Sequence, residues 1–377
     1  MYYKFIFFSK LKYSSFYTMS IDATNNSYIN DKRHQKEFKN ITFSGYKKSS
    51  VLKTLINSIN NGKVEEALNW TAELICVGYI KELWEIIILI LGKHVHLANP
   101  KLIIYTHKKY ELFRVIVNNS EIVNSELELR NNSEFRKLFT EIISVYCISE
   151  KRPCLQKIVI DKADFNLAKI SDKFDAPSIE YCEKIFKKTD PKEIFVPLNE
   201  FTYHLKSKNM LKCIYWLEWL LIFDQERRKK KNPLKCVNRT FMNVADAYET
   251  DVVWLLWEAM MCEASNNLFM KKLIECLLDL FTIRYSFNVK SKRRYLIYFA
   301  IEVLTDNLRT NIPLIDSKKK VLVEKIVEKS DAIYKVVKKN EVQPQCSYLL
   351  NSIAGFKNEK EKAIDKFNMI FEMGNVN

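Results

Sequence analysis

The chain has 377 residues, 47% of them hydrophobic, which is enough to bury one large core or two moderate ones. With only 6 Gly and 8 Pro it lacks the material for tight hairpins and Gly-rich phosphate loops, and helices joined by short polar loops remain. Lys and Arg outnumber Asp and Glu by 60 to 45, a net charge of +15 with a pI near 9.2. That surplus suits acidic partners, nucleic acid before anionic membrane, although Lys-rich codon usage in an AT-rich genome would produce the same composition.

Met1 to Tyr17 is aromatic and basic, but Phe5-Ile6-Phe7-Phe8 is too short for the apolar region of a signal peptide and no small-residue cleavage site follows. Met19 opens an ordinary polar start, so the first 18 residues read as an over-extended frame. Residues 19–48 are rich in Asn, Ser, Lys and Asp without periodicity, and 1–48 is expected to be a disordered arm. From Ser50 the apolar residues recur at helical spacing: Val51, Leu52, Leu55, Ile56 and Ile59, then Val64, Ala67, Leu68, Leu74 and Ile75 up to a cap at Gly78, then Leu83, Ile86, Ile87, Ile90 and Leu91. The last stretch is far shorter than the ~20 residues of a membrane span, so no transmembrane insertion is expected.

Asn99-Pro100 offers a cap and first-turn proline for a helix to about Val117, and Asn131-Asn132-Ser133 caps another from Glu134 to Ser149. Ile158-Val159-Ile160 is the one stretch that reads as a strand or, equally, an extended linker. Asp190-Pro191 repeats the cap pattern, and Met210 to Glu226 is helical. Further helices are expected over Val252–Met261, Leu268–Tyr285, Tyr295–Leu304 and Lys318–Asn340. The predicted fold is all-α, an irregular bundle of antiparallel helix pairs. Its parts are a helical subdomain 49–155, a linker or mixed region 156–195, a second helical subdomain 196–343, and a C-terminal helix and tail 344–377.

No catalytic, cofactor or metal site is predicted. Gly45-Tyr46-Lys47-Lys48-Ser49 lacks the first glycine and the strand of a phosphate loop, and neither G-x-S-x-G nor HExxH occurs. The nine cysteines are scattered through apolar runs without CxxC spacing, and read as small buried hydrophobes in a reducing compartment. His94, His96 and His107 form the one histidine cluster, with His94 and His107 able to approach, but no acidic or thiolate ligand stands beside them. Glu65, Glu66 and Glu73 read as a solvated face. Tryptophans 216, 219, 254 and 257 form two i,i+3 pairs beside the singles Trp70 and Trp84, as core anchors or as stacking platforms for single-stranded nucleic acid.

The densest charge run, Arg227, Arg228, Lys229, Lys230 and Lys231, has three readings: a solvated loop, a phosphate-binding patch extended by Lys235 and Arg239, or a nuclear-localisation signal. Lys290, Lys292, Arg293 and Arg294 form a second patch and Lys318, Lys319 and Lys320 a third. Binding becomes the better reading if they share a surface.

The segment from Glu66 to Gly78 (Ala67-Leu68-Asn69-Trp70 ending at Gly78), followed by Leu97-Ala98-Asn99-Pro100, resembles the C-terminal region of the RarA/MgsA family of AAA+ proteins. The resemblance covers about 60 to 90 residues. It implies a clamp-loader-collar-like packing of 49–155 and an oligomerisation role for Ala67, Leu68, Trp70, Gly78, Leu97, Asn99 and Pro100. The ATPase domain of that family is missing here, and its basic stretch survives only as Glu150-Lys151-Arg152. From about residue 48 onward the same segment, with Leu127 to Asn132 and Glu328 to Lys335, looks like an uncharacterised helical family of nucleocytoplasmic large DNA viruses. That resemblance implies a viral protein of the host cytoplasm (the viral factory), the nucleus or the virion. The expectation is a non-enzymatic accessory protein of viral DNA replication, repair or packaging, touching DNA more than RNA through Arg227 to Lys231, Lys235, Arg239, Lys292, Arg293 and Arg294. Viral or host proteins and a second copy are the other expected partners. The alternative is a minor structural component bridging capsid, membrane or genome.

Overall fold

Fourteen α-helices make up the regular structure of residues 27–118 and 126–341, the part described by this computed structural model, and no strand occurs among them. The expected all-α bundle is the observed fold. α1 (Lys48–Asn60) and α2 (Val64–Val77) pack as a pair across a short turn. α2 ends as its sequence predicts: Gly78 takes φ +91 and donates its N–H to the carbonyls of Leu74 and Ile75, a conformation that a Cβ would disfavour. α3 (Ile80–Leu89) does not stop with its apolar run but widens into a π-helical turn, Ile90–Val95.

α4 (Lys101–Asn118), the short α5 (Glu126–Leu129) and α6 (Ser133–Ile148) follow. Asn132 caps α6, its side-chain oxygen accepting from the Phe135 N–H at 2.8 Å. The other two expected caps do not form. The Asn99 amide instead donates to the Leu314 carbonyl at 3.0 Å, and Asp190 is engaged by an arginine described below.

Residues 150–161 form neither helix nor strand, so the Ile158–Ile160 stretch is a linker. Short 3-10 turns then lead to α7 (Phe195–Lys206) and α8 (Met210–Lys229). α9 (Val253–Ala264), α10 (Leu268–Thr282), α11 (Phe287–Lys292), α12 (Arg294–Thr305), α13 (Ser317–Glu328) and α14 (Ser330–Lys338) complete the described chain.

α12 joins the two expected subdomains. Every residue from Leu296 to Leu304 is buried, and a helix apolar on all sides has to sit in the middle of a core. It packs on α7, α8, α9 and α10 and also on the π-helical turn, while α13 and α14 return to α6 and α2 and α10 packs on α4. One hydrophobic cluster therefore runs from Ile29 to Val337, and residues 156–195 cross it without dividing it. The expected disordered arm is also corrected from residue 27 onward. Ile29, Phe38 and Phe43 are each at most 2% exposed, so few apolar residues in a polar stretch suffice to seat it. Residues 1–26, with Met19, and the expected tail 344–377 lie outside the described residues.

Trp84, Trp216, Trp219, Trp254 and Trp257 are buried and Trp70 packs edge-on to Tyr46 at 5.3 Å, so the tryptophans are core anchors and not stacking platforms. Ala67, Leu68, Leu97, Asn99 and Pro100 are buried as well. These five pack within this chain's own core, and Trp70 and Gly78 of the set are partly exposed.

Candidate anion-binding cleft

The basic runs of the sequence divide into buried, carboxylate-bound groups and exposed lysines. Arg239 is 3% exposed, corrected from a surface contact to a buried cross-link. It donates to both oxygens of Asp190 at 2.7 and 2.9 Å, to Glu258 at 3.0 Å, and to the carbonyls of Ile185 and Val237. Burial alone would raise the Asp190 carboxyl, but Arg239 and the Lys187 and Val237 N–H groups outweigh it and hold the group below the usual carboxylate range. Arg293 is likewise corrected. At 1% exposure it donates to the carbonyls of Leu280, Phe281 and Ile283, closing the C-terminus of α10, and pairs with Glu85 at 2.5 Å.

Lys290 is buried between Asp251, at 2.8 Å from both oxygens, and Asp224, at 3.2 Å. Arg228 donates to Asp224 at 2.7 Å and lies 3.8 Å over the Phe287 ring, so it too is committed. Arg227 bonds Glu193 at 2.8 Å and the Asn232 carbonyl at 3.0 Å. A guanidinium presents five donors in a planar fork and suits such multi-acceptor sites, whereas an ammonium on a flexible stem stays in water. Lys229, Lys230, Lys231, Lys235 and Lys292 accordingly remain exposed, Lys229 pairing with Glu226 at 2.8 Å. The third run does not join them. Lys320 lines a different groove, of about 540 Å³, together with Glu141, Glu324 and Glu328.

One cleft of about 580 Å³ gathers cations: Lys93, Lys157, Lys292 and Arg294, with Gln156, Gln225, Ser291, Tyr295 and Tyr298 among its other lining groups. Lys292 and Arg294 belong to the predicted set. Lys93 and Lys157 do not, because single lysines outside a basic run give no signal.

Four pieces of backbone form the cleft. The π-helical turn brings Lys93 to the rim, and its Gly92 lies against α12 so closely that a Cβ would stand 2.6 Å from Tyr295 Cδ2 and 2.7 Å from Leu296 Cδ2. The extended strap crosses that turn, the Arg152 N–H donating to the His94 carbonyl at 2.8 Å and the Cys154 N–H to the Lys93 carbonyl at 3.1 Å, and so carries Lys157 into place. The α11–α12 junction supplies Lys292 and Arg294, and α8 supplies Gln225.

Beneath the cleft lies Glu218, fully buried, accepting from the Arg294 guanidinium and from the Tyr298 hydroxyl, each at 2.6 Å, with Lys157 Nζ at 3.9 Å. Burial pushes the Glu218 carboxyl up and Arg294 pulls it back. The Nε of Arg294 is buried without a hydrogen-bond partner. Four cations thus face one carboxylate between low-dielectric walls, which focuses a positive potential into the cleft.

The histidines disperse. His94 Nδ1 lies 3.2 Å from the Asn60 amide and His107 pairs with Asp279 at 2.8 Å, so each has its own partner. The bond to Asp279, and after it one to Cys276, raises His107 to about 10. His96, at φ +49, is buried, stacked on Phe299 at 4.3 Å and 3.5 Å from Glu302. Burial lowers His96 to about 3 and raises Glu302 to about 7.

Glu73 is corrected from a solvated group to a buried one that accepts from the Ser44 N–H at 3.0 Å, while Glu66 stays outside and pairs with Lys63 at 2.9 Å. Six of the eight described cysteines are buried and all eight are free. No group of three or more His, Cys, Asp or Glu among the described residues is placed to hold a metal ion, and no described helix is long and apolar enough to cross a membrane. Comparison with protein-family models, curated proteins and solved structures gives no match.

Proposed function

We propose that this protein binds the phosphate backbone of nucleic acid, with Lys93, Lys157, Lys292 and Arg294 as the central contact, and serves as a non-enzymatic accessory factor in replication, repair or packaging of a viral DNA genome. The observation that carries the reading is the four-cation cleft. Its three lysines are exposed, and its tyrosine and leucine walls suit the sugar and base of a strand.

The cleft also has a continuation. Gln225 lines it, and Lys229 stands one turn further along α8, ahead of the exposed Lys230 and Lys231. The strap follows α8 in the same direction, since Lys162 lies 3.7 Å from Glu226. A strand leaving the cleft along α8 passes Lys162 and Lys229, both beside Glu226, and reaches the exposed Lys230 and Lys231. The viral setting, the preference for DNA and a location in the host cytoplasm or nucleus come from the family resemblance, and the geometry supports the polyanion alone.

Binding of single- and double-stranded DNA, measured from low to moderate salt, tests the reading. Affinity should fall steeply with salt, and combining Lys93→Glu, Lys157→Glu and Lys292→Glu should weaken binding at least about tenfold and flatten the salt slope by roughly 2 to 3. Charge reversal at Lys320, in the other groove, should leave both unchanged. No binding to either form at low salt would sink the proposal.

A further inference from the structure

The segment Ser27–Arg33 is held in the way a peptide ligand is held. It is extended, with Ile29 and Asp31 buried and residues 28, 30 and 32 exposed, yet no strand lies beside it. Side chains read its backbone instead. Asn131 accepts from the Ile29 N–H at 2.8 Å and donates to the Ile29 carbonyl at 2.9 Å. Arg130 donates to the carbonyls of Asp31 and Arg33, and Glu341 accepts from the N–H groups of Asn30 and Asp31. Lys338 takes the Tyr28 carbonyl, and Arg136 takes the carbonyl and hydroxyl of Ser27. Arg130 and Arg136 are 3% and 2% exposed, and Arg136 is fixed from behind by the Arg130 carbonyl and Asp331. The groove between the start of α6 and α14 therefore reads main chain, one apolar side chain and one carboxylate, as peptide-binding grooves do.

None of these contacts requires the occupant to belong to the same chain. We propose that the groove also accepts this segment from a second copy, giving an arm-exchanged dimer. An unrelated peptide has to displace an occupant tethered at high effective concentration, whereas exchange between copies breaks and remakes the same bonds in pairs. The link to α1 favours exchange as well. Lys39 and Asn40 are successive non-glycine residues in the left-handed region, at φ +49 and +65, and a strained hinge that turns the arm back on its own body is relieved when the arm extends to a neighbour.

Full-length variants test this. Ile29→Asp disables the arm, and Asn131→Ala disables the groove. Native mass spectrometry from about 1 to about 100 µM should show a wild-type dimer that grows with concentration, and little dimer for either variant alone. The two variants mixed should form 1:1 heterodimers, because the intact arm of one meets the intact groove of the other. Lys39→Gly with Asn40→Gly relaxes the closed hinge and should lower the dimer fraction at least threefold; this pair decides the matter if the arm and groove variants fail to fold. Monomers alone in wild type and mixture, or a dimer undiminished by Ile29→Asp, would overturn the proposal.

Discussion

Lys290 and Lys292 sit two residues apart on α11 and have opposite roles. Lys290 is 7% exposed and closes a balanced cluster of two cations, Lys290 and Arg228, with two carboxylates, Asp224 and Asp251, to which the Tyr285 hydroxyl donates at 2.9 Å. Lys292 is exposed on the cleft side, and no described carboxylate pairs with it. The buried lysine has given up its hydration for fixed partners and has no capacity left for a ligand. The open one has kept its hydration and can exchange it for phosphate. Proximity in sequence to a basic run therefore says little about binding; for these two lysines what differs is whether carboxylates have already been supplied.

The largest effect that sharpens this contrast is on the buried side. Asp251→Ala leaves Lys290 and the Tyr285 hydroxyl short of an acceptor in the core and should destabilise the fold by roughly 3 to 5 kcal/mol, read by denaturant unfolding. At the cleft wall, Gly92→Ala places a methyl 2.6 Å from the Tyr295 ring, and overpacking of that kind should cost about 1 to 3 kcal/mol and shift DNA affinity with it. Retained affinity in that variant would separate cleft shape from binding.

A third prediction concerns pH. Glu302 is raised from 4.5 to about 7, so the folded state holds its proton longer than the unfolded one and stability falls as pH rises between those values. His96 is lowered from 6.5 to about 3, so it costs stability as pH falls through that window. Glu302→Gln removes the first slope and leaves the second. The unfolding free energy of the variant should climb toward pH 6.5 and exceed that of wild type at pH 8 by roughly 1 to 2 kcal/mol, read by denaturant unfolding. The smallest stability effect belongs to the open side: Lys292→Glu should move stability by less than about 0.5 kcal/mol while weakening DNA binding. A large loss of stability there would break the comparison.

The helices were legible in the sequence because their apolar residues recur at one period, and Gly78 and Asn132 marked ends that the fold uses. The fate of the arm was not legible. Its three buried apolar residues are spread through a polar stretch, and its seat is built from residues about 100 and 310 positions away. The single core was hidden for a related reason, since α12 reads locally as one more apolar helix and its central position depends on partners as far apart in sequence as the π-helical turn and α7 to α10. The basic patches misled because composition treats Arg and Lys alike. Here the arginines at 239 and 293 close buried ends and crossings, while lysines missed at 93 and 157 complete the cleft.

The clasp on the N-terminal arm also constrains how the protein is made. The N–H of Asn30 is held by Glu341, 311 residues later. At the pace of synthesis, about 5 to 20 residues per second, roughly 15 to 60 s separate the appearance of the two. The arm is made well before the residues that complete its seat, and any nascent chain that has reached α6 but not α14 carries a half-built groove open to other chains.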